Sequence, residues 1–291
     1  MVSDASVRDD VHALTADLLP VLVPDAELRS DPAVVVLNLD GARARISTGE
    51  LVARCGDLPQ HQWPRAVEDW LRLVGEEARI ALVERRLDGD PHDRLRVVLG
   101  TPDRFETADD ALAQVSVPFG RYFAVSAVLD DGGQARPLTK LRSGLLNLHD
   151  VGERALRNTL DRELPSLAVR VQQLTLRERA TVVTLPGSPY VSTALLDIRR
   201  FLPSACPYGA LIGVPRASML IVHPVTSDAV LDFLPDFADI VHEMHDSAAD
   251  ACSHRAYWWA DDVLVEVSVR PDGHVDVPRE LEDLVRRLPK G

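Results

Sequence analysis

Carboxylates and histidines repeat at helical spacing between positions 235 and 253, and these side chains are the best placed to do chemistry. The acidic residues recur at intervals of three and four positions: Asp236, Asp239, Glu243, Asp246 and Asp250. Apolar residues recur beside them at the spacing that buries one side of a helix: Phe237, Val241, Met244, Ala248 and Ala251. The segment therefore predicts one long amphipathic helix that carries a continuous acidic stripe.

Three interpretations of this stripe are open. It is a solvated helix face, a docking surface for a basic partner, or part of a divalent-cation site that uses Asp239, His242 and Asp246. A cation site needs a further ligand from a second element, which His223 or His254 could supply. Repulsion between like charges at this spacing costs about 0.2–0.5 kcal/mol per pair, which a folded domain tolerates, so the stripe by itself does not require a function.

Basic residues are concentrated just before the stripe. Residues 151–200 contain 8 Arg and 5 acidic residues, a net charge of +3, whereas residues 201–250 contain 1 Arg and 7 acidic residues, a net charge of −6. We expect the basic segment, which ends in Arg199 and Arg200, to dock on the stripe within the chain or across a homodimer. Another interpretation is a sensor of a small anion that uses Arg199, Arg200 and Arg216.

Two adjacent tryptophans are a further candidate for binding. If Trp258 and Trp259 lie on a strand, their rings point to opposite faces of the sheet, because successive side chains alternate. We assign Trp258 to a binding surface, because exposed tryptophans are frequent at the centres of interfaces. A second layer that covers the ring is the alternative.

Several well-known catalytic motifs are absent from the sequence. It contains no G-x-x-x-x-G-K-[ST] phosphate loop, no G-x-G-x-x-G turn and no G-x-S-x-G nucleophile elbow. The run from His242 to His245 has the wrong spacing for a zinc-protease helix. The sequence therefore predicts no cofactor, and it favours a binding protein over an enzyme.

Composition restricts the class of partner and the compartment. The 291 residues contain 45 acidic and 32 basic side chains, so the net charge is 32 − 45 = −13, which argues against a nucleic-acid partner. Three scattered cysteines (Cys55, Cys206 and Cys252) do not form a disulfide framework and favour the reducing cytoplasm. No apolar run reaches the ~18 residues that span a bilayer, so no membrane partner is predicted.

The elements that must position these residues follow a recurring pattern of two strands, a glycine turn and an amphipathic helix. The hairpins are predicted at residues 33–47, 122–139 and 263–277, each followed by a helix. Further strands are predicted at 180–185 and 211–222, the second pair bent at Pro215. This pattern indicates an α+β fold with mostly antiparallel sheets and helices packed on one face.

The weakest continuity lies at residues 87–94, whose sequence LDGDPHDR is rich in turn-forming residues. We therefore predict two α+β domains, one spanning residues 1–90 and the other residues 91–291.

Three stretches of the chain resemble the YtpQ-like family of bacterial proteins, whose function is uncharacterised. They are ALRNTLDRELPSL at 155–167, VTLPGSPYVSTALL at 183–196 and GALIGVPRASMLIV at 209–222. The resemblance implies the α+β fold and carries over no catalytic residue. The hairpin–helix units are also similar in style to small secretion-chaperone-like domains, which bind a partner chain on an exposed sheet or groove.

Together these patterns predict a cytoplasmic, non-catalytic protein-binding module of the adaptor, chaperone-like or immunity type, with an acidic docking helix. The alternative is a metal-assisted hydrolase that uses the Asp and His residues of the 235–253 helix. Both interpretations are compatible with a homodimer.

Overall fold

The architecture is α+β with antiparallel sheets, as predicted. The computed structural model describes residues 4–24, 26–30, 33–39, 42–87, 89–105, 113–203, 206–270 and 275–290. Within these residues the strands form three antiparallel sheets, of three, four and seven strands. Contacts divide the chain into two compact units, which are described in turn.

The first unit contains a three-stranded sheet in the order β1-β2-β3. Its helices and strands are α1 (Asp4–Leu22), β1 (Ala26–Ser30), β2 (Ala33–Leu39), β3 (Ala42–Ser47), α2 (Gly49–Gly56), α3 (Trp63–Arg86) and α4 (Lys140–Leu145). Helix α3 has Pro64 in its first turn, where the missing N–H costs no helical hydrogen bond. The predicted apolar face of α3 is buried: Val67, Trp70, Leu71 and Val74.

The second unit contains the other two sheets. The four-stranded sheet comprises β4 (Leu95–Gly100), β5 (Ser116–Phe119), β6 (Phe123–Asp131) and β7 (Gln134–Pro137). The seven-stranded sheet has the order β14-β13-β12-β10-β11-β9-β8. Its strands are β8 (Ala168–Gln173), β9 (Arg179–Thr184), β10 (Ala210–Arg216), β11 (Met219–Pro224), β12 (Ala256–Ala260), β13 (Val263–Val269) and β14 (Val275–Asp276). The helices are α5 (Val151–Arg162), a 3-10 helix (Val191–Phe201), α6 (Val230–Asp246) and α7 (Arg279–Arg286).

Both faces of the seven-stranded sheet are buried at its centre, and alternate residues of β10 show this. Leu211 packs in one cluster with residues of α6 and α7, whereas Ile212 packs in another with the 3-10 helix and with Leu99 and Phe123 of the four-stranded sheet. A strand buried on both faces needs apolar residues at nearly every position. This requirement explains the continuous apolar runs at 210–215 and 219–222.

The predicted hairpins and helices are present. The second hairpin turns at Gly132 and Gly133, whose φ values of 62° and 93° suit glycine. The turns of the first and third hairpins, at Asp40-Gly41 and Pro271-Asp272-Gly273, lie outside the described residues. The three hairpins belong to three different sheets, and α1 and β1, which precede the first of them, were not predicted.

The two units are not separated by a single boundary in the sequence, because each is made of several segments. The first comprises Met1–Arg94, Glu106–Val115 and Pro137–Gly152, and the second comprises the remaining residues. One change of unit follows Arg94, close to the predicted junction. Because the contacts do not test independent folding, the two domains with a boundary at residue 90 stay a prediction.

Two further expectations concern individual residue types. All three cysteines are free thiols, as their spacing predicts. Among the described helices, none combines the length and the apolar character that crossing a membrane requires.

Helix α6 packs closely against β10 in the second unit. Gly213 faces Val241, and a Cβ atom added to this glycine would lie 2.5 Å from Val241 Cγ2. We expect Gly213→Ala to lower the free energy of unfolding by about 1–3 kcal/mol through overpacking, as measured by urea denaturation. Gly144→Ala is the matched control, since its added Cβ meets no atom within 4 Å and its helical position favours Ala.

Combining Val241→Ala with Gly213→Ala should cost less stability than the sum of the two single changes, because the methyl groups that clash are then gone. A Gly213→Ala protein as stable as Gly144→Ala would contradict the close packing.

Candidate functional site

Helix α6 presents one buried face and one charged face. Its buried residues are Val230, Phe233, Leu234, Phe237 and Val241. The helix therefore begins five residues earlier than the predicted start at Pro235, and the apolar spacing of Phe233, Leu234 and Phe237 runs through this proline. Pro235 therefore lies inside the helix and does not mark its start.

The opposite side of α6 carries a row of carboxylates at spacings of four, three and four residues, which we call the acidic face: Asp232, Asp236, Asp239 and Glu243. All are exposed, and none makes an ion pair with another described residue. Asp232 was missed from the sequence because the predicted helix began after it.

The predicted stripe is wrong at its C-terminal end. The helix ends at Asp246, and Ser247 caps it, so Asp250 does not continue the row. The Asp250 carboxylate instead accepts a hydrogen bond of 2.9 Å from the backbone N–H of Ser218, and this bond helps to hold its pKa below the usual range even though partial burial acts to raise it. Ala251, predicted to lie on the apolar face, is exposed.

The chain after α6 stops being helical because it pairs with the end of β10. The N–H groups of Cys252 and Ser253 donate to the carbonyls of Pro215 and Val214, at 2.9 Å each. Arg216 donates to the Met244 carbonyl at 3.1 Å, where the last turn of the helix leaves carbonyls without helical partners. These long-range hydrogen bonds replace the helical ones that residues 247–253 would otherwise form.

A cluster of three histidines around Asp246 lies at this end of the helix, and we call it the histidine cluster. Asp246 contacts His242 Nε2 at 3.3 Å and His245 Nδ1 at 3.0 Å. His254, from the segment that follows the helix, has its ring centroid 5.8 Å from that of His242 and 5.4 Å from that of His245. The four side chains thus come from two elements.

Protonation within the cluster is coupled. The hydrogen bond from His245, with the charge of His242, lowers the pKa of Asp246. Burial and the proximity of His245, Arg255 and His242 lower the pKa of His254, whereas Asp246 raises it more weakly. The pKa of His254 therefore lies below its ordinary value chiefly because burial disfavours the charged imidazolium.

Of the proposed cation ligands, His242, Asp246 and His254 lie together in the histidine cluster, but His223 and Asp239 lie elsewhere. His223 lies on β11, where its Nδ1 donates to the Arg179 carbonyl at 2.8 Å and its ring packs 4.8 Å from that of Phe233. Asp239 is in the acidic face and not in the histidine cluster. Among the described residues, no group of three His, Cys, Asp or Glu side chains is arranged to hold a metal ion. The arrangement therefore does not support the metal-assisted hydrolase.

The three candidate arginines do not converge either. Arg199 pairs with Asp262 at 2.6 Å and lies 5.8 Å from the centre of the Trp259 ring. Arg200 is 3.8 Å from Asp197, and Arg216 binds the end of α6. The predicted docking of Arg199 and Arg200 on the acidic stripe within the chain is therefore wrong, as is an anion site made by these three arginines.

Of the two tryptophans, Trp258 is the buried one. It is 1% exposed, packs in the cluster with α6, and donates from Nε1 to the Tyr208 carbonyl at 2.8 Å. Trp259 points to the other face and is partly exposed. A second layer thus covers the ring of Trp258, so Trp258 does not belong to a binding surface. Trp259 is the ring that a partner could reach.

Comparisons with protein-family models, with curated proteins and with solved structures found no match. The resemblance to the YtpQ-like family therefore stays a prediction, and no residue role is taken from a relative.

The histidine cluster predicts a pH dependence of stability. Because the pKa of His254 is lower in the folded chain than its ordinary value of 6.5, the unfolded chain takes up a proton first as the pH falls. Stability is therefore lost as the pH falls from about 6.5 through the folded-state pKa. In urea titrations across this range, His254→Gln should lose less stability than the unmodified protein.

The matched control is His61→Gln, which changes an exposed histidine in the first unit. It should keep the pH slope of the unmodified protein. Identical slopes for His254→Gln and the unmodified protein would contradict the interpretation.

Proposed function

We propose that the protein is a non-catalytic protein-binding module of the adaptor, chaperone-like or immunity type, and that it docks a basic segment of another protein on the acidic face of α6. One observation carries this proposal. The four carboxylates of the acidic face are exposed on a helix whose other side is fixed in the core, and none is neutralised by a cation among the described residues.

The fixed helix matters because it makes the charge pattern rigid. Charges at spacings of three and four residues along a straight helix match Lys and Arg side chains at similar spacing on a partner, and such complementarity mainly sets the rate and specificity of association. A phosphate backbone would be repelled, so the partner is a protein and not a nucleic acid.

A homodimer through this face is disfavoured. Two acidic faces repel each other, and Arg199, a cation predicted to dock on this face, is held by Asp262 and Trp259. The partner is therefore a different chain. The free thiols of all three cysteines support the further proposal of a reducing, cytoplasmic location.

The test uses charge reversal on the acidic face. We expect Asp236→Lys/Asp239→Lys to weaken binding of a fluorescent decalysine peptide by at least about tenfold, measured by anisotropy at low salt. The variant should be at least as stable as the unmodified protein, because each new lysine lies beside a remaining carboxylate, Asp232 or Glu243.

The matched control is Asp161→Lys/Glu280→Lys, which makes the same change of net charge at exposed positions of α5 and α7. It should retain binding within about twofold. Equal loss of binding in the two double variants would show that the peptide senses net charge only, and the proposed docking face would then be wrong.

A further inference from the structure

A polar cavity of about 420 Å³ lies in the second unit, beside the end of α6. Three stretches outside the helix form its walls: residues 101–103 after β4, residues 121–122 between β5 and β6, and residues 252–257 leading into β12. Its volume is within the range of sites for metabolite-sized ligands and is larger than a single inorganic ion requires.

The charged side chains that line the cavity are more often basic than acidic. Arg121 and Arg255 line it together with one acidic residue, Asp103. Arg121 is exposed and forms no ion pair or hydrogen bond with the described residues, so its guanidinium is free to receive a ligand. Arg255 is oriented by a contact of 2.6 Å with Glu266, which leaves further donors of its guanidinium available.

Buried hydroxyl groups form another part of the lining. Ser253 and Tyr257 are 2% and 1% exposed, and their oxygens are 2.8 Å apart. Only one of the two hydroxyl hydrogens is used in this bond, so the other can be donated to a ligand. Burial raises the pKa of Tyr257 to about 12, which keeps the phenol protonated and able to donate at neutral pH.

His245 and His254 also line the cavity. Burial lowers the pKa of His254, as do the neighbouring His245, Arg255 and His242, whereas the carboxylate of Asp246 raises it. A bound anion would stabilise the imidazolium and so favour the protonated form of His254. Donors that converge on one space, with one acid among them, are the features of an oxyanion site.

We propose that this cavity binds a small organic oxyanion, a phosphate ester or a carboxylate, held by Arg121 and Arg255 with Ser253, Tyr257 and His254 as further donors. The site uses none of the carboxylates of the acidic face, so it is independent of the proposed protein docking. It also differs from the anion sensor expected from the sequence, since it contains neither Arg199, Arg200 nor Arg216.

The experiment is isothermal titration of the full chain with inorganic phosphate, phenyl phosphate and benzoate. We expect both organic anions to bind, and more tightly than inorganic phosphate, because the cavity is larger than the ion. Tighter binding of phenyl phosphate than of benzoate would identify a phosphate ester as the ligand. Tighter binding of benzoate would identify a carboxylate. No heat from any of the three at millimolar concentration would overturn the proposal.

Arg121→Gln should weaken binding of the better anion at least about tenfold, and Arg121→Lys should weaken it less, because the charge remains while the two-pronged contact is lost. Arg154→Gln, which removes an exposed charge on α5, is the matched control and should bind within about twofold. Equal weakening by Arg121→Gln and Arg154→Gln would show non-specific attraction and would overturn the site.

An independent readout is the titration of His254 by NMR. Saturation with benzoate, whose own charge is constant across this range, should raise the His254 pKa, and benzoate should bind more tightly at about pH 6 than at about pH 8. An unchanged His254 titration with benzoate bound would place the anion elsewhere and would refute the assignment.

Discussion

The close approach of α6 to β10 at Gly213 is the constraint on which the rest of the second unit depends. A residue with any side chain at this position would meet Val241 at 2.5 Å, so the helix can lie this near the sheet only over a glycine. Phe237 and Val241 are both fully buried, so they fix the rotation of the helix about its own axis. Since the rotation is fixed, the side of α6 that carries Asp236 and Asp239 must face outward.

The same strand also determines where the chain goes after the helix. The register of β10 against β11 shifts between Gly213 and Arg216, where Pro215 has no N–H to offer a neighbouring strand. The carbonyls of this irregular end accept hydrogen bonds from Cys252 and Ser253. The returning chain is thereby brought alongside the last turn of α6, which is why His254 meets His242 and Arg255 reaches the cavity.

Local patterns predicted the fold well and the site only in part. The periodicity of Val67, Trp70 and Leu71 identifies a helix because burial of a helix face repeats locally. The end of α6 depends on hydrogen bonds to β10, some 30 residues earlier in sequence, and no local signal in residues 247–253 reports them. Adjacency alone cannot decide which of Trp258 and Trp259 is covered, because which face of the strand is covered depends on elements distant in sequence. Arg121 carries no signal at all, since its importance comes from a cavity whose walls are distant in sequence.

The order of charges along α6 follows the helix dipole. Asp232 lies in the first turn, where the partial positive charge of the helix N-terminus stabilises a carboxylate, and His245 lies in the last turn, where the negative end stabilises an imidazolium. Each such interaction contributes about 0.3–1 kcal/mol, comparable to the repulsion of one or two like-charged neighbours. The dipole therefore offsets part of the cost of the acidic face, so the face can persist for structural reasons as well as functional ones. At about 0.15 M salt, charges are screened beyond about 8 Å. An anion bound near His254 therefore has little electrostatic effect on a cation bound near Asp236. One rigid helix can therefore present an anionic surface along its length and contribute to a cationic cavity at its end.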